Sequence, residues 1–161
     1  MKIYVAHGAF DTKVNRRCGM SVLAGRLRYE NSSHEVIELE SQEIPEDLLA
    51  RIWIGYSNGF NLVLDQVQLL NTSDPTVVVH VCSIDGVRYG GGFMTAPWFL
   101  PRNVQTSLCF LRTQLVGAPP YHQIIANPRG PVFPIHANHG SISSALEVHD
   151  LVSQWVSELL Q

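Results

Sequence analysis

The chain contains 161 residues, of which 45% are hydrophobic and 16% are charged, and its formal net charge is −3. This length predicts a single domain spanning residues 1–161, and the hydrophobic fraction excludes an intrinsically disordered protein. Because the chain is acidic and contains no apolar run near the roughly 20 residues that cross a bilayer, we expect neither nucleic-acid binding nor stable membrane insertion.

The N-terminal residues and the cysteines indicate a protein of the reducing cytoplasm. Residues 1–8 lack the long apolar stretch and the small-residue cleavage site of a signal peptide. The three cysteines form no CxxC pair, so neither a disulfide framework nor a zinc cluster is expected. Two of them, Cys82 and Cys109, lie within apolar runs and are expected in the core.

Short apolar runs, interpreted as strands, alternate with helical patterns along most of the chain. The strands are expected at 3–6, 36–39, 52–54, 77–82, 108–111 and 124–126. Segment 13–29 is a predicted helix, and segment 43–49 is expected to be partly helical. The apolar face of the first helix consists of Met20, Leu23, Ala24 and Leu27.

Two further helices follow the same apolar spacing. The helix after the third strand carries Phe60, Val63, Leu64 and Val67 on one face. The last helix carries the stripe Val148, Leu151, Val152, Trp155 and Leu159. Ser144 and Glu147 have the spacing of a capping box at its beginning.

The alternation of strands and helices predicts the fold class. We expect an α/β three-layer sandwich, with a mostly parallel sheet of about six strands and helices on both faces. A loop at 86–103, rich in glycine and proline, replaces the helix expected after the fourth strand. Functional residues in such folds lie at the carboxyl ends of the strands, so the residues directly after each apolar run are the informative ones.

The third strand runs into Gly55-Tyr56-Ser57-Asn58-Gly59, and a helix follows at once. This is the G-x-S-x-G pattern between a strand and a helix, where a strained turn lifts the serine hydroxyl above the sheet. The two glycines leave room for neighbouring backbone, and the helix N-terminus directs amides at a developing oxyanion. The pattern predicts Ser57 as a nucleophile; the alternative is a glycine-rich turn with an incidental serine.

With this elbow, the chain resembles the α/β-hydrolase family, in particular its small lipase- and esterase-like members. The other features that carry the resemblance are His7-Gly8 after the first strand, Asp85 after the fourth, and His139 before the last helix. The resemblance implies the strand order 2-1-3-4-5-6. The opening antiparallel strands of the family are missing, which implies a minimal version of the fold.

The resemblance places the catalytic histidine in the loop before the last helix, which contains His136 and His139. A serine hydroxyl needs such a base to take its proton. We favour His139, because Gly-Ser-Ile and an amphipathic helix follow it as in the family, and His136 is the alternative. His80 is expected in the sheet, and His34 and His149 are expected at the surface.

The acid that orients the histidine is predicted to be Asp85. No Asp or Glu occurs between Asp85 and Glu147, and some lipase-like relatives place their acid after the fourth strand. The order Ser57, Asp85, His139 is that of the family. The alternative is that Asp85 is a turn residue beside glycine.

The oxyanion hole requires two backbone amides. One is expected from Asn58, directly after the serine, and the other from Ala9 or Phe10 in the loop after the first strand. His7 is expected to support this loop rather than to act as the base. Gly8 permits close approach of the backbone.

Apolar residues near the site are candidates for a substrate pocket. Phe93, Met94 and Trp98, together with His7 and Tyr56, are expected to line an acyl pocket or a short lid. The alternative is ordinary core packing beneath a long loop. The acid-free stretch 86–146 also carries four arginines, which are expected to be solvated, with an anionic substrate group as the alternative. These are Arg88, Arg102, Arg112 and Arg129.

Together these features predict a serine hydrolase that cleaves a small or lipid-like carboxylic ester through an acyl-enzyme, with no cofactor and no metal. A thioesterase or an amidase would use the same triad. A metal-dependent hydrolase using His7, His136 and His139 is a second alternative, although the chain lacks H-E-x-x-H and paired-cysteine motifs. A non-catalytic binding scaffold is the third. The oligomeric state is left open.

Overall fold

Six strands and four helices make up the described part of the chain, which comprises residues 1–9, 18–86, 98–114 and 125–161 of a computed structural model. The strands are β1 (Lys2–Ala6), β2 (Glu35–Leu39), β3 (Ile52–Tyr56), β4 (Val79–Ile84), β5 (Val104–Arg112) and β6 (Val132–Ile135). The helices are α1 (Gly19–Glu30), α2 (Gly59–Ser73), α3 (His139–Ile142) and α4 (Leu146–Leu159).

The strands lie side by side in the order β2-β1-β3-β4-β5-β6, and every pairing is parallel. This arrangement confirms the predicted α/β fold, and the strand order is the one that the resemblance implied. The carboxyl ends of parallel strands meet at one edge of a sheet. The residues that follow β1, β3, β4 and β5 therefore lie close together at that edge.

Helices cover both faces of the sheet and complete the three layers. On one face, α1 and α4 pack over a core that includes Ile3 and Val5. On the other face, α2 packs over Tyr4, Ala6 and Trp53. Alternate residues of β1 thus face opposite layers, and burial on both sides explains why this strand is apolar on both of its faces.

The apolar faces predicted for the helices are turned toward these layers. The fully buried members are Met20, Leu23, Ala24, Leu27, Phe60, Val63, Val67, Val148 and Val152. The members packed at the margin of the core are Leu64, Leu151, Trp155 and Leu159. None of the helices in the described ranges has both the length and the apolar character that crossing a membrane requires.

The sixth strand lies later in the chain than the sequence pattern predicts. Of the expected segment 124–126, Ile125 forms one isolated bridge with Trp98, and the strand at the sheet edge is β6. Pro134 lies within β6, opposite Leu111 of β5. Proline removes a backbone donor, so an edge strand tolerates it on its unpaired side. The prolines around β6 made this segment resemble a loop.

The start of the last helix also differs from the prediction. Ser144 and Glu147 form no capping box, because α4 begins one residue later than their spacing requires, with Ala145 at its N-cap. The capping box lies instead at α3, where the Asn138 side chain accepts from the backbone of Ser141 at 3.0 Å and the Ser141 side chain accepts from Asn138. This capping box fixes the turn directly before His139.

Residues 43–49, expected to be partly helical, form no helix. Pro45 lies in this segment and disfavours helical backbone in the residue before it. The segment is held against β1 through Asp47, which accepts hydrogen bonds from Lys2 and from the hydroxyl of Tyr4.

His149, expected at the surface, is buried with 2% exposure. Its Nε2 donates to the carbonyl oxygen of Ser143 at 2.7 Å, and burial lowers the pKa of the imidazole. The His149 side chain points toward the junction of α3 and α4 rather than toward the sheet. It therefore lies outside the apolar stripe of α4, and that stripe does not predict its burial.

Two glycines of α1 provide a matched test of this packing. A Cβ at Gly19 would lie 2.2 Å from the carbonyl oxygen of Ser143, whereas a Cβ at Gly25 would meet nothing within 4 Å. We predict that Gly19→Ala lowers the free energy of unfolding by about 1–3 kcal/mol through overpacking. Gly25→Ala should raise it by about 0.5–1 kcal/mol, since alanine favours a helix. Denaturant unfolding of both variants measures the difference, and equal effects would contradict the packing.

Candidate active site

Ser57 lies on the sharp turn between β3 and α2. Its backbone has a φ of 52°, in the left-handed region that residues other than glycine rarely adopt. The turn is held by a hydrogen bond from the Ser57 amide to the carbonyl oxygen of Ile84 at 3.1 Å, and by one from Phe60 back to Ser57 at 3.2 Å. The strained turn expected from the G-x-S-x-G pattern is therefore present.

The two glycines of the elbow are required by close packing. A Cβ at Gly55 would lie 2.6 Å from the Cα of Phe60, and a Cβ at Gly59 would lie 2.4 Å from the carbonyl oxygen of His7. These distances are far shorter than any Cβ contact that a real side chain makes. The glycines thus allow α2 to begin directly against the ends of β1 and β3.

Three predicted residues meet in one series of hydrogen bonds. The Oγ of Ser57 lies 2.8 Å from the Nε2 of His139, and the Nδ1 of His139 lies 2.6 Å from the Oδ2 of Asp85. Because a carboxylate accepts, Nδ1 is the donor, which leaves Nε2 of the neutral ring to accept from the serine hydroxyl. The side chains of His139 and Asp85 are 17% and 1% exposed, so the series runs from the cavity into the interior.

His139 is held from two sides. It is the first residue of α3, directly after the capping residue Asn138. Tyr56 donates a hydrogen bond from its hydroxyl to the carbonyl oxygen of His139 at 2.5 Å, and the two rings stack with centroids 5.3 Å apart. Tyr56, predicted to line the substrate pocket, therefore also fixes the orientation of the imidazole.

His136, the alternative base, is exposed and turned away from this series. Its ring contacts Gln114 Nε2 at 2.9 Å and Thr113 Oγ1 at 3.4 Å. His7 contacts a glutamate on β2 instead, so the ligands of the metal-dependent alternative do not come together. Among the described residues, no group of three or more His, Cys, Asp or Glu side chains is placed to hold a metal ion.

One of the four arginines expected to be solvated is buried at the site. The side chain of Arg112, at the end of β5, is 0% exposed, and its Nη1 donates to Asp85 Oδ2 at 2.6 Å. Asp85 itself has a φ of 43° directly after β4. The guanidinium supplies the counter-charge that a buried carboxylate requires. The sequence contained a signal for this contact, because Arg112 directly follows an apolar run. Parallel pairing of β4 and β5 brings the ends of these strands, and so Asp85 and Arg112, together.

The loop after β1 lies beside Ser57. His7 is fully buried, its amide donates to the carbonyl oxygen of Leu39 at 2.8 Å, and Ala9 lies on the wall of the cavity at the serine. Asn58 is the N-cap of α2, so its amide follows the serine at the positive end of that helix. Phe10, the other expected oxyanion donor, lies outside the described residues.

A cavity of about 220 Å³ opens beside Ser57 and His139. Its wall includes Ala9, Cys18, Tyr56 and Ser143. The wall therefore combines the loop after β1, the beginning of α1 and the region of α3. A group bound in it would contact the hydroxyl at the outer end of the hydrogen-bonded series.

Trp98, another predicted pocket residue, is not part of this wall. Phe93 and Met94 fall outside the described residues. Trp98 packs against Phe60 with ring centroids 5.0 Å apart, and it borders a separate groove of about 360 Å³ alongside α2. Trp98 thus contributes to the core beside α2, the alternative left open above, rather than to the cavity at Ser57.

This arrangement has the groups that activate a hydroxyl. An imidazole that accepts from a serine and donates to a carboxylate can take the serine proton while the oxygen attacks an electrophile. Comparison of the chain with protein-family models, with curated proteins and with solved structures finds no match. The geometry and chemistry of the site are therefore the grounds on which a function is assigned.

The ion pair between Arg112 and Asp85 is open to a direct stability test. We predict that Arg112→Met lowers the free energy of unfolding by about 3–5 kcal/mol, because it leaves the Asp85 charge buried without its guanidinium. Arg112→Lys, which keeps a positive charge, should lose less. Urea unfolding followed by circular dichroism measures both variants. Wild-type stability of Arg112→Met would show that the pair does not stabilise the fold.

Proposed function

We propose that this protein is a serine hydrolase of the α/β-hydrolase type that cleaves a carboxylic ester through an acyl-enzyme. The observation that supports this most strongly is the hydrogen-bonded series from Ser57 through His139 to Asp85, with distances of 2.8 Å and 2.6 Å. Its nucleophile occupies a strained turn at a helix N-terminus, and its acid is buried. These features lie together at the sheet edge where sites of α/β folds occur.

Acylation begins with proton transfer from the Ser57 hydroxyl to Nε2 of His139, while Oγ attacks the ester carbonyl. Asp85 stabilises the imidazolium that forms and holds its orientation. The developing oxyanion is bound by the amide of Asn58 and by that of Ala9, and the positive end of the α2 dipole stabilises the same charge.

Breakdown of the tetrahedral intermediate uses the same proton. The His139 imidazolium gives it to the departing alcohol, and the acyl group remains on Ser57. Water then attacks the acyl-enzyme while His139 takes its proton. When this second intermediate collapses, the bond between the acyl group and Oγ breaks, His139 returns the proton to Ser57, and the carboxylic acid leaves. These steps need no cofactor. The cavity of about 220 Å³ beside the serine favours a short acyl group.

A reducing compartment such as the cytoplasm fits the cysteine chemistry, and we place the protein there. No disulfide joins any of the three cysteines, and Cys82 and Cys109 are buried in the core. Disulfides persist in oxidising compartments, so free thiols are typical of proteins in reducing ones.

Hydrolysis of p-nitrophenyl esters, from acetate to longer chains, tests the proposed mechanism. We predict that Ser57→Ala and His139→Ala each reduce kcat by at least about 10³-fold, because each removes a member of a unit that acts together. Asp85→Asn should reduce kcat by about 10⁴-fold through the wrong imidazole tautomer. Acetate and butyrate should be cleaved faster than long-chain esters.

His136→Ala is the matched control, since it removes an exposed histidine three residues from the base and should retain wild-type kcat. Thioester and anilide substrates assayed in parallel rank the leaving groups that the site accepts. Activity that survives Ser57→Ala and is lost on chelation would replace the serine mechanism by a metal-dependent one. A folded wild-type protein inert toward every substrate would point to a binding scaffold.

A further inference from the structure

A second hydrogen-bonded series ends at a residue on the wall of the same cavity. The Sγ of Cys18 lies 3.7 Å from Nδ1 of His7, and Nε2 of His7 lies 2.9 Å from Oε2 of Glu38. In this second series a thiol, an imidazole and a carboxylate follow one another. The first series has the same order, with the hydroxyl of Ser57 in place of the thiol. The two series share no residue, and the proposed hydrolysis makes no use of the second.

The carboxylate of this series is ionised at neutral pH. Burial alone would raise the pKa of Glu38, but hydrogen bonds from His7, Ser21 and Arg28 outweigh burial and lower the pKa to about 2. The Ser21 hydroxyl donates to Oε2 at 2.7 Å, and Arg28 Nη1 donates to Oε1 at 2.7 Å. A carboxylate only accepts, so Nε2 of His7 is the donor. In the neutral ring, Nδ1 is therefore the acceptor that faces the thiol.

The position of Cys18 favours its ionised form for a further reason. Cys18 is the N-cap of the twelve-residue helix α1, where the positive end of the helix dipole stabilises a thiolate. Cys18 is half-buried and lies on the wall of the cavity that also contains Ser57 and His139. A small molecule bound in this cavity therefore lies beside both Ser57 and Cys18.

The other two cysteines have the opposite environment. Cys82 and Cys109 are buried in the sheet, as predicted. Burial raises the pKa of Cys82, and it raises the pKa of Cys109 to about 11. These thiols are inert core residues, so they provide internal controls for the reactivity of the third.

We propose that Cys18 is a nucleophilic thiol and the covalent modification site of this protein for small, uncharged carbon electrophiles. His7 Nδ1 takes the thiol proton, and Glu38 stabilises the resulting imidazolium. The sulfur forms a bond to carbon and the leaving group departs with its electron pair. With iodoacetamide, an S–C bond forms, the C–I bond breaks, and iodide is released.

Modification of Cys18 also closes the way to the serine. The adduct occupies part of the cavity of about 220 Å³ that Cys18 shares with Ser57. Alkylation of Cys18 therefore inhibits hydrolysis. This consequence depends on the function proposed above, whereas the reactivity of the thiol does not.

The test compares one thiol in two states of the same full-length protein. Folded and urea-unfolded protein are treated with iodoacetamide near pH 6.5, and alkylation of each cysteine is followed by peptide mass spectrometry. An ordinary thiol is only about 1% ionised at this pH. We expect folded Cys18 to react at least about tenfold faster than unfolded Cys18, because the folded thiol passes its proton to His7. Cys82 and Cys109 should react in the unfolded protein alone.

Two variants test whether His7 and Glu38 cause the fast alkylation of Cys18. His7→Gln and Glu38→Gln should each reduce the rate of Cys18 in the folded state at least about fivefold, and His34→Gln, at a more exposed position, should leave it unchanged. If His7→Gln does not fold, the proposal is tested by Glu38→Gln and by the comparison of folded with unfolded wild-type protein. Folded Cys18 that reacts no faster than unfolded Cys18, or wild-type rates in both folded variants, would overturn the proposal.

Ser57→Ala separates this inference from the proposed hydrolysis, because Cys18 should be alkylated in it at the wild-type rate. In wild-type protein, ester hydrolysis should be lost at the same rate at which Cys18 is alkylated. In Cys18→Ser, iodoacetamide should cause no loss relative to the untreated variant. If alkylated protein hydrolyses esters at the full rate, the inference that the adduct blocks the cavity is wrong. If wild-type protein cleaves no ester, the alkylation rates still decide the reactivity of Cys18.

Discussion

The buried carboxylate of Asp85 constrains where the other side chains of the site can lie. An unpaired charge in a protein interior is strongly unfavourable, so the fold must bring donors to it. Both His139 and Arg112 donate to its Oδ2, each at 2.6 Å. The end of β5 and the beginning of α3 are thereby tied to the end of β4. The strained backbone of Asp85, with a φ of 43°, is held in place by these surroundings.

The parallel sheet explains why two hydrogen-bonded series can end at one cavity. Its carboxyl edge collects the chain segments that follow neighbouring strands. Ser57 and Asp85 follow β3 and β4, while His7 follows β1 and contacts Glu38 on β2. The cavity is lined by Ser57 and His139 and by Cys18 at the beginning of α1. A hydroxyl and a thiol, each paired with its own imidazole, therefore face the same small space.

Much of this arrangement could be predicted from the sequence, because it depends on local patterns. The elbow at Ser57 is specified by two glycines between a strand and a helix, and the helices by their apolar spacing. The contact of Arg112 with Asp85 was missed because charged side chains are usually solvated, although this arginine directly follows an apolar run whose strand neighbours β4. The contact of Cys18 with His7 was missed because no motif marks it, and neither the local pattern nor the resemblance brings the two residues together. The edge strand β6 was missed because Pro134 is also typical of a loop.

Covalent labelling tests most directly whether Ser57 is an activated nucleophile. Folded wild-type protein is treated with a fluorophosphonate probe and the adduct is located by peptide mass spectrometry. The structure predicts a single adduct on Ser57, strongly reduced in His139→Ala and absent from unfolded protein, because activation requires the imidazole at 2.8 Å. Folded protein that acquires no adduct, or acquires one at another residue, would contradict the claim.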